Sequence, residues 1–232
     1  MLKTIARIAQ GLCDRSNKID PSRFNDPVAS KTDWQPLKGG GANFKTHNLK
    51  AEAPDRLVYK ASIGARLFYL AFLLSGLAMV IFITPIAVAN LKEHGPEMLL
   101  PSVVGLIFTI VGALIYRNGT KPIVFDRQRG FFWRGKTPPD QILRKETLRD
   151  WARLDDIHAL QILRESIGKS GSSSYRSVGN REVSGGNFSY ELNLVLKDAS
   201  RVNVIDHGSV KEIREDAESI SRFLGVQVWD AA

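Results

Sequence analysis

The fold is decided by LFYLAFLLSGLAMVIFITPIAVANL, residues 67–91, and by MLLPSVVGLIFTIVGALIY, residues 98–116. Neither run contains a charged residue, and a short polar bend, residues 92–97, joins them. An α-helix needs about 20 residues to cross about 30 Å of hydrocarbon, and both runs reach that length. Two core helices of a soluble protein are the alternative, but such helices rarely stay uncharged on every face. The sequence therefore predicts a transmembrane helical hairpin over 67–116, with spans of about 67–89 and 98–116.

Basic residues are concentrated on the outer sides of this predicted helical hairpin. The chain of 232 residues has a formal net charge of +8, and residues 1–66 contain 12 Lys and Arg against 6 Asp and Glu. The bend has one Lys and two Glu. Because Lys and Arg are enriched in cytoplasmic flanks of membrane spans, both termini are predicted to be cytoplasmic. The sole cysteine, Cys13, excludes an intrachain disulfide and fits a reducing compartment.

The basic excess predicts contact with a lipid bilayer and not with nucleic acid. Zinc-finger spacing and an RNP-like aromatic strand are both absent from the sequence. Each Lys or Arg beside an anionic leaflet contributes about 1 kcal/mol of attraction. The candidates for head-group contacts are Arg117, Lys121, Arg127, Arg129, Arg134 and Lys136. The alternative for these six is ordinary positive flanking of a membrane span.

Small residues recur every four positions in the second span. Gly105, Thr109 and Ala113 would share one face and allow close packing of a second helix, as Ala71 and Ser75 would in the first span. No Asp, Glu, Lys, Arg or His lies inside either span. Ion and proton pathways usually contain such residues, so the pattern favours an anchor.

The remaining segments are predicted to form a β-rich domain. Residues 1–33 read as an amphipathic helix followed by a flexible linker, and residues 34–66 as a β-hairpin region with strands 44–51 and 57–63. Residues 117–232 are predicted to form a cytoplasmic β-rich domain, with strands at 122–125, 131–134, 190–196 and 201–205. Residues 154–167 fit a helix or a strand, and we favour a strand.

A C-terminal amphipathic helix over residues 209–224 is the clearest helix outside the apolar runs. Ser209 is a natural N-cap, Glu212 completes a capping box, and Gly225 stands where a helix-ending glycine is expected. Val210, Ile213 and later apolar residues form one stripe along it.

Seven predicted strands followed by one helix resemble the element order of a pleckstrin-homology-like domain, with the helical hairpin inserted between strands two and three. GGGANF (39–44), DIHALQ (156–161) and YELNLVL (190–196) also resemble segments of uncharacterised two-span bacterial membrane proteins. These resemblances imply an α+β membrane protein of the bacterial inner (plasma) membrane with a PH-like cytoplasmic domain, and they supply no activity. A simpler alternative is a tail, an anchor and an independent five-stranded α+β domain.

The sequence contains no recognisable catalytic arrangement. His47, His94, His158 and His207 lack metal-ligand spacing among themselves or with the cysteine, and GKS at 168–170 lacks the glycine that a P-loop requires. We therefore expect no cofactor, no metal and no enzyme activity, although an unfamiliar active site is an alternative. The predicted function is that of an adaptor, assembly factor or regulator of a membrane complex, with a protein partner or self-association. Lipid head-group recognition and a small oligomeric pore or transporter, assembled through Gly105, Thr109 and Ala113, are the alternatives.

Overall fold

Two long apolar helices dominate the structure, a computed structural model that describes residues 19–37, 45–143, 150–166 and 188–232. Helix α1 spans Ile63–Ala89 and helix α2 spans Pro96–Gly119, and each is long and apolar enough to cross a membrane. A single helical turn, Leu91–His94, lies between them. Both helices contain the predicted spans and extend beyond them. Ser62 explains the earlier start of α1, because its hydroxyl accepts a hydrogen bond from the Ala65 amide at 3.1 Å.

A five-stranded antiparallel sheet, sheet A, joins the segments before and after the helices. Its order follows the chain: β1 (His47–Ala53), β2 (Arg56–Ala61), β3 (Ile123–Asp126), β4 (Phe131–Arg134) and β5 (Trp151–Arg153). Strands β2 and β3 are direct neighbours, with Leu57 opposite Phe125 and Tyr59 opposite Ile123. The helical hairpin is therefore an insertion between two paired strands. This pairing excludes the alternative of an independent domain that begins after the helices.

A second sheet, sheet B, contains four strands in the order β8-β7-β6-β9. Strands β6 (Ile157–Ser166), β7 (Phe188–Leu196) and β8 (Arg201–His207) are antiparallel neighbours. Helix α3 (Val210–Leu224) then returns the chain, and β9 (Gln227–Ala231) pairs in parallel with β6. The parallel pair requires a crossover connection, which α3 provides.

One apolar core unites both sheets and α3. The inner face of sheet A contributes Tyr59, Phe125 and Phe132, and sheet B and α3 contribute residues such as Leu194 and Ile220, all fully buried. Helix α3 begins and ends as predicted. The Ser209 hydroxyl accepts from the Glu212 amide at 3.4 Å, and Gly225 ends the helix in the left-handed conformation, with φ 72°.

The strand predictions are confirmed in part and wrong in detail. Residues 154–167 contain strand β6, as favoured, but Ile63 begins α1 and does not end a strand. Strands β5 and β9 are not predicted. Strand β5 is only three residues long, and in β9 the apolar neighbours Val228 and Trp229 face opposite sides, which hides the alternation. The predicted N-terminal amphipathic helix, the three glycines at 39–41 and the GKS segment at 168–170 lie outside the described residues.

The N-terminal strap, residues 19–37, lies against the outer face of sheet B, although the sequence predicts a flexible linker for most of it. Ala29 is fully buried, and the rings of Phe24, Trp34 and Trp229 contact each other in pairs, with centroids 5.0–5.9 Å apart. The Trp34 indole also donates to the Ala29 carbonyl at 3.0 Å. Aromatic contacts with Trp229 of β9 and the burial of Ala29 therefore hold a segment that contains many polar residues.

Candidate lipid-facing surface and helix interface

The helices α1 and α2 expose most of their apolar surface. Only 6% of the most apolar 18-residue window of α1 and 11% of that of α2 is buried. The exposed side chains include Phe82, at 69%, and Leu100, at 64%. The core helix of a soluble protein would be mostly buried, because exposed apolar area of this extent is costly in water.

Glycines set the distance between α1 and α2. A Cβ atom added to Gly112 would lie 2.6 Å from the Leu73 backbone nitrogen, and one added to Gly105 would lie 2.7 Å from the Met79 Cβ. Gly76 of α1 is buried against the Gly105–Thr109 turn of α2 in the same way. The Thr109 hydroxyl donates to the Gly105 carbonyl at 2.8 Å. Because glycine has no side chain, the backbones of α1 and α2 approach each other closely at these positions.

Of the three residues predicted to form the packing face, Gly105 and Thr109 lie against α1. Ala113 is exposed, as are Ala71 and Ser75 of α1, and the contact uses Gly112 instead. A strict four-residue repeat advances about 40° around a helix at each step, whereas a 4-3 alternation stays on one face. Because Gly105 and Thr109 already contact α1, that face is occupied within one chain. Assembly of a pore through it would require the helical hairpin to open.

The six predicted head-group contacts do not form one surface. Arg127 and Arg129 lie in the β3–β4 turn, at the end of sheet A opposite to the helices. With about 3.3 Å per residue, that turn is about 10 Å farther from the helices than the start of β3. Arg117 and Lys121 lie near the end of α2. Lys136 follows β4, which is antiparallel to β3 and therefore runs back toward the helices. All three side chains are exposed.

Both arginines of the β3–β4 turn have partners within the chain. The Arg127 guanidinium donates to the Phe223 carbonyl at the end of α3 and lies 4.4 Å from the centre of the Phe223 ring. Arg129 pairs with Asp140 at 2.5 Å and lies 4.0 Å from Asp126. A cation near the last carbonyls of a helix stabilises that helix. These contacts give both side chains a structural role.

Arg134 is also engaged within the domain. Its guanidinium pairs with Asp150 at 3.2 Å and donates to the Val204 carbonyl of β8 at 2.8 Å. Burial lowers the pKa of Arg134, although the carboxylate of Asp150 opposes that shift. The side chain therefore links sheet A to sheet B.

A buried polar cluster lies between β2, β8 and α3. His207 is fully buried, and its ring nitrogens lie 3.5 Å from Glu212 and 3.5 Å from Asp216. Burial, and next to it the carboxylate of Asp216, raises the pKa of the fully buried Tyr59 phenol. The His207 imidazole and the Tyr59 phenol have no exposed surface, so a substrate cannot reach them, and this cluster fits a structural role.

His47 connects β1 to the chain that leaves α2. Its Nε2 lies 3.2 Å from the Lys121 carbonyl and its Nδ1 lies 3.0 Å from the Thr46 hydroxyl. Burial lowers the pKa of His47 to about 4, so the neutral imidazole is the form that the domain holds at neutral pH. This contact stitches the two segments that flank the helical hairpin.

The strap covers a polar half of sheet B. Gln161 donates to the Asp33 carbonyl at 3.1 Å, and Arg201 pairs with the Asp33 carboxylate at 3.0 Å. The Leu37 amide donates to Glu191 at 2.9 Å. These side chains are polar residues inside strands, and the partners that satisfy them are more than 120 positions away in sequence. The sequence shows the alternation but gives no signal of the partners.

Known proteins supply no assignment for this arrangement. No family model matches the chain, and neither the curated proteins nor the solved structures compared with it gave a match. Across the described ranges, no group of three or more His, Cys, Asp or Glu side chains is placed to hold a metal ion.

Proposed function

We propose that this chain is a two-span protein of the bacterial inner membrane that displays a β-rich interaction domain on the cytoplasmic side. The observation that supports it most is the exposure of both apolar helices, since only 6% of the most apolar window of α1 and 11% of that of α2 is buried. Lipid is the solvent in which such a surface is stable. Because the helices are inserted between β2 and β3, the start of α1 and the end of α2 are both next to sheet A, and both would meet the bilayer on the same side.

The charge pattern supports the cytoplasmic side. Exposed cations lie at the domain end of the helices, among them Lys60, Arg66, Arg117 and Lys121, whereas the far bend has a net charge of −1. The enrichment of Lys and Arg at one end is the pattern of cytoplasmic flanks. The domain keeps the element order that resembles a pleckstrin-homology-like domain up to α3, with β5 and β9 as additions, and we retain that resemblance as part of the proposal.

An adaptor, assembly factor or regulator is the activity that this architecture supports best. The domain is held to the membrane at two points through paired strands, so its orientation to the bilayer would be fixed. A fixed orientation suits a module that positions a partner at the membrane.

Crosslinking in cells tests this function directly. The tagged full chain would be compared with a tagged helical hairpin, residues 62–120, which lacks both sheets. A discrete partner captured only by the full chain is the expected result. A partner captured equally by both chains would assign binding to the helices, and recovery of lipid alone would contradict the adaptor proposal. Resistance to alkaline extraction, measured on the same membranes, tests the membrane proposal separately.

A further inference from the structure

A groove of about 360 Å³ lies on the outer face of sheet A, at the start of α1. Its lining contains three cationic side chains and no carboxylate: Asn48, Lys50, Lys60, Ala61, Ile63 and Arg66. Asn48 is opposite Lys60 in the β1–β2 register, and Lys50 is two residues along, so all three project from one face. The groove is large enough for a small polar group such as a glycerophosphate.

The cations of the groove differ in how far their charges are compensated. Lys60 pairs with Glu52 at 2.5 Å. Lys50 and Arg66 make no ion pair with any residue that the structure describes, and both are exposed. The first turn of α1 has no acidic residue, and a cation there opposes the positive end of the helix dipole. The placement of Arg66 is therefore unfavourable for α1 itself and favourable for an anion in the groove.

The apolar wall of the groove identifies which anion fits. Ile63 lines it and is 76% exposed, and Leu67, one turn along α1, is 61% exposed. A ligand that used the whole site would place its negative charge among Lys50, Lys60 and Arg66 and its hydrocarbon along α1. Inorganic phosphate would leave Ile63 uncovered.

We propose that this groove binds the phosphate of an anionic phospholipid, with Lys50 and Arg66 as its main contacts. The inference rests on the proposed membrane location of α1. It moves head-group recognition from the β3–β4 turn, whose arginines have partners within the chain, to the β1–β2 face. An acyl chain against Ile63 and Leu67 would hold the lipid beside the helix.

Native mass spectrometry of the full chain in mild detergent tests the site. The wild type would be titrated with phosphatidylglycerol and with phosphatidylcholine, and compared with the double variant Lys50→Gln/Arg66→Gln. At about 1 kcal/mol for each removed cation, phosphatidylglycerol affinity should fall about thirtyfold. The matched control is Arg117→Gln/Lys121→Gln, which removes two exposed cations at the end of α2 that do not line the groove. Its affinity should stay within about threefold of the wild type.

The possible outcomes separate the explanations. Equal losses in the two double variants would show that binding follows total charge, and would overturn the proposal. Equal affinity of the wild type for the two lipids would also overturn it, as would displacement of the lipid by millimolar inorganic phosphate. Circular dichroism confirms that each variant is folded. Loss of the protein from membranes on alkaline extraction would refute the membrane location alone, and lipid selectivity in detergent would still report on the groove.

Discussion

Substitution of Gly112 by alanine is expected to destabilise the helical hairpin, against the intrinsic preference of helices. Alanine is favoured over glycine in a helix by about 1 kcal/mol. At Gly112, however, the new Cβ would lie 2.6 Å from the Leu73 nitrogen and 2.8 Å from the Leu73 Cα. Both are backbone atoms, so no side-chain rotation relieves the overlap, and ordinary contact begins at 3.4 Å.

The helices must therefore separate locally by about 0.8 Å at that level. A gap of about 0.5–1 Å forfeits a quarter to a half of the dispersion energy of the neighbouring contacts. Overpacking of this kind costs about 1–3 kcal/mol. After subtraction of the propensity gain, Gly112→Ala should lower the free energy of unfolding by up to about 2 kcal/mol.

The control is the same substitution at Gly64, in the first turn of α1. No atom lies within 4 Å of a Cβ added at Gly64. Gly64→Ala should therefore leave stability unchanged or raise it by up to about 1 kcal/mol. The assay is thermal unfolding of the full chain in mild detergent, followed by helical circular dichroism. If Gly112→Ala stabilised the chain as much as Gly64→Ala, the close approach of the two helices would be refuted.

Three further predictions concern the domain. The pKa of His47 is about 4 in the folded chain and 6.5 in a model peptide, so between pH 6.5 and pH 4 the unfolded state binds more protons than the folded state. The free energy of unfolding should therefore fall by about 2–3 kcal/mol as the pH drops through that range. In denaturant titrations His47→Gln should remove that part of the slope, and the exposed His94→Gln should not; equal slopes in the wild type and His47→Gln would contradict the assignment. Trp34→Ala should weaken attachment of the strap by about 2 kcal/mol and speed limited proteolysis within it. The control Leu37→Ala, at a residue that is 42% exposed, should change the cleavage rate little. A strap cleaved no faster in Trp34→Ala than in the wild type would contradict the aromatic packing. Replacement of residues 63–119 by a short Gly/Ser linker should give a water-soluble chain, because β2 and β3 keep their pairing. Tryptophan fluorescence should then show a cooperative unfolding transition. A chain without such a transition would refute the placement of the helical hairpin as an insertion within sheet A.

Local patterns predict most elements of this fold, since their signals lie within a few residues. The two apolar runs, the cap at Ser209 and the alternation in β7 each depend on neighbouring residues, and the structure contains all three elements. Strand β9 is not predicted by such a pattern, because Val228 and Trp229 pack against apolar residues on opposite faces and two adjacent apolar residues break the period of two.

The candidate site was harder to predict because its chemistry depends on distant partners. The density of arginines after the helices suggested a head-group surface, yet Arg127 and Arg134 bind carbonyls 96 and 70 positions away. Lys50 and Arg66 are separated by a strand, a turn and the start of α1. Only the β1–β2 register places them on one groove. The sequence therefore shows how many Lys and Arg residues follow each segment, but not which of them form ion pairs or hydrogen bonds within the domain.

If the chain spans the membrane as proposed, the insertion of the helical hairpin between β2 and β3 has a consequence for biogenesis. Strand β2 leaves the ribosome before either helix, and its partner β3 follows only after both. If one helix failed to insert, the two strands would be on opposite sides of the bilayer, and the apolar residues Leu57 and Phe125 would have no sheet to enter. Completion of sheet A would thus act as a proofreading step for topology, since only a chain with both spans in place can fold and escape proteolysis.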